Sequence, residues 1–283
     1  MKIRFYISII LLLFIASACN SDANKEIKQE DIKELRIISL VPSNTLEIEQ
    51  LGLKNNIVGA TSYCDITKDN PDLIVGSVVE INEEKILLLK PDIVFASILV
   101  KQKSLDILRN NGIRVELLGK VESFDDLCNN YIQLAKLLDK EADAKQFVDA
   151  SRLKLDSIIA RIPKMEIQPQ IFFQLGANPI ATVLNGTFMN DFITFAKGEN
   201  VFSDLKSIIV SRESVVLRNP SHIIISSMGN VGEAEMEIWK EYKDMDAVRN
   251  DNIFVVELVT TPTVAAFVKH FEIIVNEIYG KQN

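Results

Sequence analysis

Short apolar runs alternate with amphipathic stretches along most of this chain, and this alternation limits the possible folds more than any other feature. In the first half, four runs have the length and composition of strands, at 36–41, 57–60, 92–96 and 113–117. The stretches between them have helical patterns, at 44–53, 82–89 and 102–111. Strands that alternate with helices indicate a parallel or mixed sheet covered on both faces. The sequence therefore predicts the α/β class.

The alternation stops in the middle of the chain. Residues 124–162 contain no strand pattern, and apolar or small side chains from Phe147 to Ile162 recur every three or four positions, as on one face of a helix. A second alternating block follows, with predicted strands at 170–175, 222–226 and 253–257 and predicted helices at 187–197, 213–218, 233–242 and 263–279. We therefore predict two α/β lobes joined by one long helix, with the boundaries 35–139, 140–166 and 167–283.

One segment occurs in both predicted lobes. Residues 84–97 align with 213–226, so that Glu84 matches Glu213 and each copy has a proline seven positions later and a serine at its end. Each copy predicts a short helix, a proline turn and a buried strand, because proline disfavours helical geometry in the residue before it. A chance match is the alternative, since this unit is common in α/β folds. The repeat favours two pseudo-symmetric lobes whose strand ends meet at a shared ligand cleft.

The N-terminus predicts export. Lys2 and Arg4 precede an uncharged apolar run at 6–18, which is shorter than the roughly 20 residues that span a membrane. The run ends in small residues followed by Cys19, as in a lipoprotein signal. We predict a signal peptide at 1–18 and a lipidated Cys19 that anchors a periplasmic or cell-surface protein. An ordinary secretory signal with an incidental cysteine is the alternative.

Charge and composition exclude several classes of function. The polar segment 19–34 is predicted to be a tether. Loss of Lys2 and Arg4 with the signal changes the formal net charge from −8 to about −10, which argues against nucleic-acid binding. The two histidines are not placed at metal-site spacing, and no phosphate-binding glycine loop or nucleophile motif occurs, so we predict neither an enzyme nor a metal or cofactor site. Cys64 and Cys128 are expected to be free thiols or, less favoured, a disulfide.

The ordered motifs resemble those of a known family. Residues 36–45, 57–65, 89–94 and 198–202 are similar to signatures of the substrate-binding proteins of cobalamin, heme and ferric-siderophore importers. The resemblance runs from about residue 35 to 279. It implies a monomer with two α/β lobes bridged by a rigid helix, a ligand cleft between the lobes, and delivery of the ligand to a permease driven by an ATPase.

The closest resemblance is to the cobalamin-binding branch. Residues 62–65, 172–179 and 210–213 carry it. That branch lines its cleft with several tryptophans, whereas this chain has only Trp239 and has aliphatic residues at 76–80 and 207–210. Aliphatic side chains still cover a corrin face, since apolar burial contributes roughly 25 cal/mol per Å².

The predicted ligand contacts follow the strand ends. They are Pro42, Ser43, Asn44, Tyr63, Cys64, Asp65, Ser97, Gln174, Gly176, Asn178, Thr260 and Thr261. Tyr63 is expected to pack against a macrocycle, with a heme-iron ligand or a plain surface residue as alternatives. Asn44 alternatively caps the helix that follows. The predicted loops lack arginine, so cobalamin or a related corrinoid ranks ahead of heme or a ferric siderophore, which would call for cations.

Glu84 and Glu213 are the predicted contacts with the permease. The repeat places one acid at an equivalent position of each lobe, and the family resemblance implies that such glutamates pair with arginines of a permease. The alternative is that each carboxylate lies in the first turn of a helix, where the helix dipole stabilises it. Asn82 and Ser211, two residues earlier, are plausible caps and support that alternative.

Overall fold

The computed structural model describes residues 34–227, 232–257 and 261–280. The predicted signal peptide, Cys19, all of the predicted tether except Glu34, and the predicted ligand contact Thr260 lie outside the described residues. Within the described ranges, no helix combines the length and the apolar character needed to cross a membrane.

The first lobe contains a sheet of four parallel strands. These are β1 (Ile37–Ser39), β2 (Ile57–Ala60), β3 (Ile93–Ala96) and β4 (Arg114–Leu117), in the order β2-β1-β3-β4. The strands β1 and β3 are buried along their whole length. Such burial explains why both strands are predominantly apolar and show no alternation, as is usual for a sheet covered on both faces.

Four helices accompany this sheet. They are α1 (Pro42–Gln50), α2 (Ile66–Asp69), α3 (Glu83–Leu89) and α4 (Gln102–Asn110). Three of them were predicted, and α2 was not, because a single turn of helix carries no periodic pattern. Helix α1 begins with Pro42, whose missing N–H belongs to a position that has no partner within a helix.

A layer of three helices connects the two lobes. The strand-free region holds α5 (Phe124–Leu137) and α6 (Glu141–Ala160), separated at Asp139, where φ is 57°. The last helix, α11 (Val264–Tyr279), packs against both. One buried apolar cluster runs through this layer and includes Ile37 of the first sheet and Phe173 of the second. Helix α6 lies within the predicted connecting segment 140–166, and one buried cluster joins the two sheets.

The second lobe contains a mixed sheet. Its strands are β5 (Gln170–Ala177), β6 (Ile180–Thr182), β7 (Glu199–Asn200), β8 (His222–Ser226) and β9 (Ile253–Val256). The order is β6-β5-β8-β9, with β7 also paired to β5, and only the β5–β6 pair is antiparallel among the described strands. Strands β6 and β7 were not predicted, because two or three residues are too few to show an alternation.

The helices of the second lobe follow the prediction to within a few residues. They are α7 (Phe188–Phe195), α8 (Arg212–Arg218), α9 (Gly232–Lys240) and the unpredicted short α10 (Asp246–Arg249), in addition to α11. Together with the first lobe, they give the predicted α/β class with two sheets flanked by helices.

The sequence repeat is also a structural repeat. Helices α3 and α8 each have seven residues, and Asn82 and Ser211 cap them by accepting a hydrogen bond from the amide three residues later. Both helices end at a residue in the left-handed region, Lys90 with φ 45° and Asn219 with φ 44°. A proline and a buried strand follow in each lobe. The repeated helix–turn–strand unit is therefore confirmed down to its caps.

Candidate functional site

The turn after β2 exposes one of two neighbouring side chains and buries the other. Tyr63 is 67% exposed, whereas the thiol of Cys64 is buried and lies 3.1 Å from the hydroxyl of Thr45 and 3.2 Å from that of Thr61. The Thr61 hydroxyl also accepts a hydrogen bond from the Tyr63 amide. The buried thiol therefore fixes the turn, and Tyr63 is the side chain that the turn presents. Cys64, predicted as a ligand contact, instead positions its neighbour.

Both described cysteines are free and buried. Burial raises the pKa of the Cys128 thiol to about 11. The free-thiol alternative, and not the disulfide, is the one that the structure shows.

A short hairpin lies beside this turn. Gly76 and Ile81 form an antiparallel bridge, and the Ser62 amide donates to the Gly76 carbonyl at 2.9 Å. The φ of Gly76 is 139°, and a side chain there would collide with the backbone of the hairpin, so the turn requires glycine. The hairpin leaves Val79 exposed. An aliphatic side chain thus lies on the segment that is hydrogen-bonded to the Tyr63 turn.

The loop after β3 adds two apolar side chains that were not predicted. Ser97 uses its hydroxyl to accept a hydrogen bond from the Leu99 amide at 3.2 Å. Ile98 and Leu99 are both exposed. Two consecutive apolar residues, separated by only Ser97 from a buried strand that ends at Ala96, were the signal in the sequence.

The segment after β1 does not provide a side-chain cap for helix α1. Asn44 is buried within the first turn of α1, whose N-cap is Val41 and has no side-chain hydrogen bond. Asn44 therefore does not cap this helix, and that alternative is wrong. Pro42 and Ser43 are half-buried, and the Thr45 hydroxyl donates to Ser39 Oγ at 2.8 Å.

In the second lobe, Gln174 is fully engaged inside the protein. Its Nε2 donates to Glu235 Oε2 at 2.8 Å and to the Gly176 carbonyl at 3.1 Å, and its Oε1 accepts from Trp239 Nε1 at 2.7 Å. The side chain of Gln174 is only 1% exposed. It was predicted to contact the ligand, and in the structure it supports the end of β5, where Gly176 is half-buried and after which Asn178 is exposed.

A cation lies next to this network. Arg212 donates to both carboxylate oxygens of Glu235, at 3.0 and 3.2 Å, and its guanidinium lies 4.5 Å from the centre of the Trp239 ring. Its Nη1 is buried without a hydrogen-bond partner among the described residues. The predicted loops lack arginine. The fold nevertheless places Arg212 of α8 beside the Gln174 network, where Glu235 neutralises its charge.

An exposed aliphatic edge completes the second lobe. The Thr182 amide donates to the Ile208 carbonyl at 2.7 Å, and the Val210 amide donates to the Ile180 carbonyl at 3.0 Å. This pairing with β6 leaves the side chains of Ile208 and Ile209 about half exposed.

The remaining described residues among the predicted contacts are Asp65 and Thr261. Asp65 is exposed and forms an ion pair with Lys68 at 2.7 Å, and Thr261 is half-buried ahead of Thr263, which caps α11. Among the described residues, no group of three histidine, cysteine, aspartate or glutamate side chains is arranged to hold a metal ion.

A comparison with known families identifies the family of this chain. Residues 37–257 match the family of periplasmic binding proteins. The chain belongs to this family. The resemblance found in the sequence is thereby confirmed. Members of this family are substrate-binding proteins of ABC importers and not enzymes, so this periplasmic binding protein captures a solute without transforming it.

Similar proteins differ in what their names say they bind. A vitamin B12-binding protein of Yersinia pestis (strain Pestoides F) is 30% identical over 202 residues, which are 68% of this chain and 69% of that protein. A possible iron-binding protein of Staphylococcus epidermidis has 28% identity and a TM-score of 0.74, covering 86% of this chain and 98% of that one. The periplasmic heme-binding protein of Vibrio cholerae shares the fold, with a TM-score of 0.76 at 19% identity over 87% and 99% of the two chains.

In this periplasmic binding protein, six aromatic or aliphatic side chains on segments next to the strands of the two lobes are exposed. Tyr63, Ile98 and Leu99 follow the ends of β2 and β3, Val79 lies on the hairpin bonded to the Tyr63 turn, and Ile208 and Ile209 lie on the segment paired with β6. Exposed apolar groups that recur at the ends of parallel strands indicate a ligand site, since ligands of α/β folds bind there. We name these six side chains the apolar rim.

Proposed function

We propose that this periplasmic binding protein captures cobalamin or a related corrinoid and delivers it to the permease of an ABC importer. The apolar rim is the observation that carries the proposal. A corrin macrocycle offers two broad apolar faces, and its periphery carries amide side chains that need neutral partners. The relative named as a vitamin B12-binding protein supports the same ligand.

The proposed ligand contacts are the apolar rim together with backbone or side-chain polar groups of eight predicted residues. They are Pro42, Ser43, Asp65, Ser97, Gly176, Asn178, Thr260 and Thr261, of which Thr260 lies outside the described residues. Backbone and neutral side-chain groups of these residues match the amide periphery of a corrinoid, and pockets of this kind combine apolar walls with a few polar groups. Gln174 and Cys64 act behind them through their buried hydrogen bonds, and Asn44, also a predicted contact, is buried in the first turn of α1.

Heme or a ferric siderophore is the second candidate ligand. Two observations favour it: the exposed Tyr63, whose phenol ligates heme iron in some proteins, and the unpaired Nη1 of Arg212, which would suit an anionic group. Against it, Glu235 already neutralises Arg212.

Titration of the full-length chain with three ligands tests the proposal. Calorimetry and visible spectra would be recorded with cyanocobalamin, hemin and a ferric hydroxamate. Submicromolar binding of cyanocobalamin is expected. Submicromolar binding of hemin or the hydroxamate without detectable corrinoid binding overturns the proposal and selects the second candidate.

Glu84 and Glu213 are the proposed contacts with the permease. Both are exposed, and both follow a capped helix start at equivalent positions of the repeat. Hydrogen bonds from its own backbone amide and from Ser211 hold the pKa of Glu213 below its usual range, so this carboxylate is charged at neutral pH. Those bonds also fit the first-turn alternative, but that alternative does not require the acids to recur at matching places.

The docking role is tested with the double variant Glu84→Ala/Glu213→Ala. Rim charges mainly steer association and set register. Ligand affinity should therefore stay unchanged, while association with the permease–ATPase complex and uptake should fall. Normal uptake by the double variant, or a loss of ligand binding, contradicts the docking role.

The lipid anchor at Cys19 completes the proposal. The small residues before Cys19 support it. Cys19→Ala should yield an unlipidated protein that still binds its ligand. Mass spectrometry of the wild-type N-terminus decides the matter, since a free Asn20 or a later unmodified residue contradicts lipidation.

A further inference from the structure

Leu88 on α3 and Leu217 on α8 occupy equivalent positions of the repeated unit. Their exposures are 74% and 87%, whereas Ile86 and Val215, two residues earlier on the respective helices, are buried. Each leucine thus lies on the outer face of its helix and contributes little to the packing of its own lobe. An exposed leucine forgoes the free energy of burial. The same exposure at both copies of the unit indicates a shared role outside the lobes.

Each leucine has an acidic neighbour on the same helix face. Glu84 precedes Leu88 by four residues, and Glu213 precedes Leu217 by four residues. Residues with this spacing lie one turn apart on one side of a helix. We call each pair, Glu84 with Leu88 and Glu213 with Leu217, an acid–leucine patch.

We propose that the two acid–leucine patches dock onto a homodimeric partner, with each leucine inserted into an apolar hollow beside a cationic group of one partner subunit. This inference rests on the proposed function and commits to the permease dimer as the partner. Duplication of the patch requires two equivalent receiving surfaces, which a two-fold dimer provides. The acid in each patch disfavours an anionic lipid surface, which attracts basic segments.

The leucines and the glutamates have separable roles in this arrangement. A charge at an interface rim acts mainly on encounter and register, whereas a leucine that becomes buried adds affinity in proportion to its apolar area. Salt screens the first contribution and leaves the second largely intact. Affinity measured at low and at high salt therefore distinguishes the two.

The experiment measures binding of the ligand-loaded full chain to its permease–ATPase complex in lipid nanodiscs. The variants are Leu88→Ala, Leu217→Ala and their combination, each compared with Leu153→Ala. Leu153 is a matched control, because it is 71% exposed on α6 and has no counterpart in the repeat. Each single variant should weaken binding roughly tenfold, and the double variant roughly a hundredfold. Ligand affinity, melting temperature and the Leu153→Ala control should not change.

The outcomes separate this inference from the proposed docking role. If the leucine variants bind like Leu153→Ala while Glu84→Ala/Glu213→Ala loses binding, the leucine inference is overturned and the charged contact stands. If the leucine variants lose binding at low and high salt alike while the glutamate variant binds normally, the inference stands and the role of the glutamates fails. The inference is also overturned if the leucine changes act only on self-association, measured by ultracentrifugation, or only on binding to anionic vesicles.

Discussion

The indole N–H of Trp239 donates a 2.7 Å hydrogen bond to the side-chain oxygen of Gln174, and both side chains are buried. The two residues are on different elements, α9 and β5, and the bond joins them beneath the loop that carries Asn178. The single tryptophan of the chain therefore belongs to the support of this loop. It is not part of the apolar rim, and aliphatic side chains take the place of indoles there.

Gln174→Ala should lower the free energy of unfolding by about 2–4 kcal/mol. The change leaves the buried indole N–H of Trp239 without this acceptor and Glu235 without this donor, and each lost bond in a buried network costs about 1–3 kcal/mol. Urea denaturation followed by tryptophan fluorescence measures the effect. Asn178→Ala, on the exposed part of the same loop, should stay within about 0.5 kcal/mol of the wild type. Equal stability of the two variants would contradict the supporting role.

Glu47→Gln should change how stability depends on pH. Burial raises the pKa of the Glu47 carboxyl to about 8. Together with burial, the charge of Glu47 in turn contributes to the raised pKa values of Cys128 and Tyr131 on α5. The folded protein therefore holds a proton that the unfolded chain releases above about pH 4.5. The free energy of unfolding therefore decreases as pH rises from about 4.5 to 8, by up to about 1.4 kcal/mol per pH unit.

The measurement for Glu47 is denaturant unfolding between pH 5 and 8. Gln cannot ionise, so the stability of Glu47→Gln relative to the wild type should increase across this range. Glu49→Gln is the control, because Glu49 is partly exposed and forms an ion pair with Lys54. A stability difference for Glu47→Gln that does not vary with pH would show that the carboxyl is not protonated in the folded protein.

Tyr63 provides a test that distinguishes the two candidate ligands. Tyr63→Ala should weaken binding of either ligand by about tenfold or more, since it removes the one aromatic ring of the apolar rim. Tyr63→Phe should keep corrinoid affinity within a few-fold, whereas an iron-ligating phenol would be lost and the visible spectrum of bound heme would shift. The melting temperature should not change in either variant, because Tyr63 is 67% exposed. Unchanged affinity in Tyr63→Ala would remove this residue from the site.

The aliphatic edge of the second lobe is tested with Ile208→Ala/Ile209→Ala. If a macrocycle packs against both side chains, loss of this area should weaken binding by about tenfold or more. Calorimetry with cyanocobalamin measures the effect, and Leu217→Ala, exposed elsewhere on the same lobe, should bind as the wild type does. Equal affinities of the two variants would place the ligand away from this edge.

Local patterns in the sequence determined the α/β class, the strand-free middle and the repeated unit. A buried parallel strand reads as an apolar run, and a capped helix followed by proline is a local signal that needs no tertiary information. For this reason the starts of α3 and α8 and the strands β3 and β8 lie within a residue or two of their predicted positions. The order of these motifs also predicted the family, which the match over residues 37–257 confirms.

Only the tertiary structure decided which side chains near the strand ends are exposed. A residue after a strand can point outward, like Tyr63, or inward, like Cys64, and the choice depends on partners such as Thr45 that lie far away in the sequence. The pairing of Arg212 with Glu235 spans 23 residues and two helices. Neither periodicity nor composition reports such long-range contacts, because they depend on how the elements pack and not on the elements themselves.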